Sequence, residues 1–160
     1  MFEHFRVRVV KSRIRGTLLD VGAWTNRWAE EVGGHSVNYI TEAPSEECYN
    51  TITMLAVLNY ITPQDIPTVI EGCHARLKRY GRLLITCINP IGSLGLPKQP
   101  KGLRRQEVIA LVEAGGFKLV YDKPFMLGLN RLYVFGKEIG KDTLAPKEYR
   151  KEVEQLKKEL

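Results

Sequence analysis

Apolar residues recur along this chain in short runs closed by glycine or acidic residues, and between the runs they fall at helical spacing. The opening FRVRVV, residues 5–10, alternates apolar and basic positions at period two, which predicts a short strand or extended arm. GTLLDVG is a compact apolar run closed by Asp-x-Gly and reads as a buried strand. Thr25 can cap a helix over residues 26–32, with Gly33 and Gly34 to stop it. HSVNYITEA reads as a second strand, and YNTITML, rich in Thr and Ile, as a third. Ile66, Val69, Ile70, Cys73 and Leu77 share one face of a helix that opens at Thr62 or Asp65 and runs to about Tyr80, with Gly81 as its end. RLLITCI is a fourth buried strand, and a Gly/Pro-rich loop, NPIGSLGLPKQPKG, follows. RRQEVIALVEAGG is a helix with Val108, Leu111 and Val112 inward. FKLVYDKPF and NRLYVFGKEI are the last strands, joined by a hairpin and so antiparallel.

Strands alternating with helices predict an α/β domain with a mostly parallel sheet and right-handed crossovers. Ligands in such sheets sit beyond the carboxyl ends of the strands, which puts the loop after Asp20 in the expected binding position. The organisation expected is a basic arm over residues 1–15, the α/β domain over 16–140 and an amphipathic helix over 144–160. In that last segment Tyr149, Val153, Leu156 and Leu160 form a narrow stripe, fit either for docking on the domain or for a homodimer contact.

Composition narrows this picture only a little. A chain of 160 residues fits one domain with one sizeable core. No apolar run is long enough to span a bilayer and no secretory signal is read, so no membrane partner is expected. Cys48, Cys73 and Cys87 are odd in number and far apart, and the three histidines do not fall at ligand spacing. Neither a disulfide framework nor a metal site follows, and a cytoplasmic, reducing setting is the default. The net charge of +6 permits an anionic partner without requiring one. Part of the excess is concentrated in Lys98, Lys101, Arg104 and Arg105, which follow the fourth strand and form a candidate substrate-binding loop. A solvated charge run explains the same residues.

Three stretches together resemble the class I S-adenosylmethionine-dependent methyltransferases. LLDVGAWTNRWAEEV is similar to that family's first motif, an acidic-x-Gly-x-Gly-x-Gly loop opening a helix. YNTITMLAVLNYI with ARLKRYGRLLIT resembles its fourth and fifth strands, and EVIALVEAGGFKLV its entry to the sixth. The resemblance covers residues 16–139 and implies a Rossmann-like fold, S-adenosylmethionine as cofactor, and in-line methyl transfer to an unknown acceptor. It places Asp20, Gly22, Ala23 and Trp24 in the cofactor loop and Glu42 near the ribose. It also places Met54 and Leu55 beside the methionine moiety, and Asn59 and Tyr60 at the catalytic, acceptor side.

The departures are specific. Trp24 and Asn26 replace glycines; Thr41 stands where the ribose carboxylate is usual, with Glu42 one place on; Asn50 replaces an aspartate. Between Thr41 and Tyr49 there is no room for a further βα unit of roughly 30 residues, so the family's third strand should be absent and the second should form a sheet edge. Trp24 can stand in for the lost adenine wall or can fill the pocket. Two functions therefore stay open: a methyltransferase, or a catalytically silent relative that serves as a binding or assembly module for nucleic acid or protein. A nicotinamide dinucleotide enzyme would need Gly-x-Gly-x-x-Gly, of which only Gly22 is present.

Overall fold

The computed structural model describes residues 2–94, 96 and 100–137. The expected helix over 144–160, with its proposed dimer contact, lies outside the described residues, as does Lys98. The described elements are α1 (Phe2–Lys11), β1 (Leu18–Val21), β2 (His35–Val37), β3 (Tyr49–Leu55), α2 (Ile66–Arg76), β4 (Leu77–Ile88), α3 (Pro90–Ser93), α4 (Arg105–Glu113), β5 (Phe117–Phe125) and β6 (Asn130–Lys137). They build one six-stranded sheet in the order β2-β1-β3-β4-β6-β5. β1 pairs in parallel with β2 and β3, and β3 with β4; β6 alone runs against its neighbours, β4 and β5. The sheet is mostly parallel, has an antiparallel last strand, and ends at β2 where a further strand would stand, as the sequence predicts.

Side chains pack on both faces. One face carries the larger core: α2 contributes Ile66, Ile70 and Cys73, α4 contributes Val108 and Val112, and the sheet contributes Leu19, Ile52, Leu83, Ile85 and Phe135. Val7 and Val10 of α1, with Trp28 and Ala29, cover Leu18, Leu84 and Val134 on the other face. The last two strands and their antiparallel pairing coincide with the sequence reading, because long apolar alternation and a short turn act together there.

Four local expectations are overturned. Residues 5–10 are helical, not extended: Val7 and Val10 lie one turn apart and both are buried, so packing outweighs the β preference of a valine-rich run. The helix expected over 26–32 shrinks to turns and a single 3-10 turn, Glu30–Val32. Arg27 donates to the Ser36 carbonyl at 2.8 Å while Trp28 and Ala29 are buried. Three consecutive anchors span about 200° of a helix circumference and cannot all face one sheet. The second strand stops at Val37, and a 3-10 turn, Ile40–Glu42, replaces its expected continuation. Finally, α2 ends at Arg76 and Gly81 lies within β4. A Cβ at Gly81 would lie 2.7 Å from Leu77 Cδ2 and 3.2 Å from the Asn50 carbonyl, so this glycine permits close approach and does not end a helix.

Candidate functional site

The carboxyl ends of β1 to β4 converge with the turn between β5 and β6 at one end of the sheet. β1 delivers Asp20, which is 3% exposed and accepts a 2.6 Å hydrogen bond from Thr53 Oγ1 on β3. Its register partners are Ser36 and Thr53, so the carboxylate lies within a lateral polar row across three strands. The backbone then turns at Gly22, with φ at 81°. A Cβ there would lie 2.4 Å from Val57 Cγ2. Gly22 is thus demanded by its backbone angle and by the Val57 side chain packed against it. The amides of Gly22 and Ala23 both donate to the Val37 carbonyl, at 2.9 and 3.0 Å. No α-helix follows this loop, so the helix N-terminus expected to present free amides is missing here.

Trp24 also has positive φ, 48°, and is 58% exposed. It neither fills the core nor lies buried against Trp28. Its ring meets Tyr39 edge to face, with centroids 5.5 Å apart, and Tyr39 is equally exposed. An aromatic pair therefore stands open beyond β1 and β2. Tyr39 is a site candidate the sequence reading missed, because it lies inside a segment read as strand. The strand's early end frees Glu42 from the alternation that would have turned it away; its Oε2 accepts from the Asn38 amide at 2.9 Å. Asn38 Oδ1 is buried without a hydrogen-bond partner beside it.

Other expected site residues hold different positions. Met54 is fully buried in the larger core, where the Cys73 thiol approaches its sulfur at 3.7 Å, so it presents no surface to a ligand. Leu55 packs on the smaller cluster. Asn59 is 2% exposed, and its carboxamide is fully engaged: Nδ2 donates to the carbonyls of Ile88 and Lys101, and Oδ1 accepts from the Ile88 amide. It pins the loop after β4 to the sheet. Neighbouring Tyr60 is 58% exposed, with its phenol at the same end as Trp24. Lys101 and Arg104 are exposed. Arg105 is not available for substrate: it donates twice to Asp122, both at 2.8 Å, and Arg131 also binds that carboxylate. The Arg105 guanidinium holds the Asp122 carboxyl below the usual carboxylate range, and Arg131 adds to the effect.

At the open edge of β2 lies a cleft of about 390 Å³, lined by Arg27, Glu30, His35, Ser36, Glu42 and Tyr49 among others. There His35 Nδ1 and the Tyr49 hydroxyl share a 2.8 Å hydrogen bond, and Ser36 Oγ is buried without a partner. Among the described residues no group of His, Cys, Asp and Glu is arranged to hold a metal ion, and no helix is long and apolar enough to cross a membrane.

No family model matches this chain, and no curated protein matches it. Solved structures do. The 1,6-didemethyltoxoflavin-N1-methyltransferase of Burkholderia thailandensis, solved with S-adenosylhomocysteine, is similar over 83% of this chain and 76% of its own, at 17% identity and a TM-score of 0.63. A TehB-like SAM-dependent methyltransferase from Corynebacterium glutamicum is similar over 84% of this chain and 87% of its own, at 15% identity and a TM-score of 0.62. An S-adenosylmethionine-dependent methyltransferase from Mesorhizobium loti is similar over 81% and 96%, at 10% identity and a TM-score of 0.62. Strand order, the single reversed strand and these likenesses agree: the chain has the Rossmann-like fold of the class I S-adenosylmethionine-dependent methyltransferases.

Proposed function

We propose that this chain binds S-adenosylmethionine beyond the carboxyl ends of β1, β2 and β3 and transfers its methyl group to an acceptor. The observation that carries the reading is the placement of Trp24. Its ring is more than half exposed and edge-on to Tyr39, which supports a ring that faces a ligand and does not fill the core. Trp24 and Tyr39 supply an aromatic wall on the side where the sheet lacks a strand. Asn38 Oδ1 and the Glu42 carboxylate supply acceptors for hydroxyl groups at the end of β2. The cofactor, when bound, supplies an activated sulfonium methyl. The protein then has to align the acceptor and exclude water. Tyr60 is exposed on the acceptor side, and Asn59 acts as a positioning residue by fixing the loop that carries Lys101.

A second reading, a catalytically silent binding module, is favoured by Val57 packed on Gly22 and by the loop amides already bonded to Val37. Calorimetric titration with S-adenosylhomocysteine separates the two. Micromolar binding by the wild type that weakens about tenfold in Trp24→Ala, the loss of one aromatic contact, supports the methyltransferase. No binding by the wild type, with binding gained in Val57→Ala, means an inherited cradle closed by Val57 and favours the module.

A further inference from the structure

We propose that the lobe formed by the 89–94 turn and the 126–129 turn is a docking surface for an anionic lipid bilayer. Ile91, Leu94 and Leu127 stand 70%, 77% and 101% exposed on this lobe. Among the described residues the exposed large apolar side chains gather at this end of the sheet; Val32 and Tyr80 lie at the other end and Phe5 on α1. Scattered apolar exposure is ordinary, but aliphatic tips gathered on neighbouring loops mark a contact surface.

The turn between β5 and β6 is built against local preference. Met126 and Leu127 take positive φ, 52° and 55°, where a hairpin would ordinarily place Gly, Asn or Asp. The strained backbone holds a bulky apolar residue at the outermost point of the lobe. The lobe is also held together before any partner arrives. The Asn89 amide donates to the Leu129 carbonyl at 3.0 Å, Asn89 Nδ2 donates to the Gly128 carbonyl at 2.5 Å, and Asn89 Oδ1 caps α3 by accepting from Gly92. A Cβ at Gly92 would lie 2.5 Å from the Leu129 carbonyl, so the two turns are in direct contact.

Charge identifies the occupant. Lys101, Arg104 and Lys123 lie exposed on or beside the lobe, against Glu107, which accepts from the Arg104 amide. Arg105 and Arg131 are committed to Asp122, and that cluster keeps one excess positive charge. Aliphatic tips ringed by cations suit the boundary between lipid headgroups and acyl chains, where the tips enter the apolar layer and the cations meet phosphates. A nucleic acid would instead call for stacking rings at the tips, and the rings exposed at this end, Trp24, Tyr39 and Tyr60, belong to neither turn of the lobe. A peripheral contact of this kind needs no spanning helix. The proposal stands apart from methyl transfer and does not depend on it.

The test is flotation of the full chain with phosphatidylcholine vesicles and with vesicles containing phosphatidylserine, at low and physiological salt. Binding to the anionic vesicles alone, weakened by salt and reduced about tenfold or more in Leu127→Asp and in Leu94→Asp, is the expected result. Val32→Asp, at a half-exposed position at the opposite end, leaves binding unchanged. Absence of binding to anionic vesicles at low salt overturns the proposal, as does an equal loss in Val32→Asp. A dimer in light scattering that Leu127→Asp dissociates also overturns it, because the occupant is then a second copy. Titration of S-adenosylhomocysteine into the same variants keeps the two readings apart: its failure touches the methyltransferase assignment and leaves the vesicle result standing.

Discussion

The four strands β3 to β6 and the stretch from Gly22 to Asn38 follow different rules. In the first, the strands are long, paired on both sides in all but β5, and packed against α2 and α4. In the second, one three-residue strand, turns and a single 3-10 turn replace what would be a strand and a full helix. The first region is held by ladders and close packing. The second is held by a few individual contacts: Gly22 on Val57, Arg27 on Ser36, Trp28 in the smaller core. Stability concentrates in the regular region.

Substitutions can break or sharpen that contrast. The largest effect is expected for Gly22→Ala, which forces a Cβ onto Val57 at an unfavourable φ and should cost about 3 kcal/mol in urea unfolding. Adding Val57→Ala should recover the steric part and leave the backbone part. Asn59→Ala strands the Lys101 carbonyl and the Ile88 amide at the loop after β4, while the Ile88 carbonyl keeps the Leu103 amide; a loss of about 2 kcal/mol is expected, with hydrogen exchange rising at Ile88 and Lys101. Asp122→Asn should cost about 1 kcal/mol at neutral pH, a figure kept low because Arg105 is half exposed. The folded-state pKa of Asp122 lies below its unfolded value, so its contribution is full above the ordinary carboxylate range and is lost as pH falls through the lowered value. The difference in Tm between Asp122→Asn and wild type should therefore narrow on acidification. The smallest effect on stability is expected for Trp24→Ala, less than about 0.5 kcal/mol, while titration with S-adenosylhomocysteine should show weaker binding. The thiols give an independent check on the regular region. Burial pushes Cys73 up to about 12 and raises Cys87 as well, so iodoacetamide at pH 8 should modify the half-buried Cys48 first.

How much of this was legible depended on range. β3, β5, β6 and the helix from Arg105 follow from local pattern, because their apolar period, turn residues and burial agree. Residues 5–10 satisfy two periods at once, and only the sheet face that receives Val7 and Val10 decides between them. The helix after Thr25 has caps at both ends in the sequence, yet it yields to three adjacent anchors whose partners lie elsewhere in the chain. The site was legible in position but not in detail. Asp20 and Gly22 fall where expected, whereas Val57, Tyr39 and Asp122 matter through contacts that no spacing announces. Arg105 shows the converse, a residue of suitable charge in a suitable loop that is already committed to a carboxylate.

The bond from Arg27 to the Ser36 carbonyl has a consequence for colloidal behaviour. With no strand beyond it among the described residues, β2 leaves one row of main-chain groups open to pairing with another molecule. A strand only three residues long offers little to copy, and a guanidinium set on one of its carbonyls occupies part of what remains. Sheets that shed a strand must blunt the margin they create, and here a single arginine at the rim guards against edge-to-edge polymerisation.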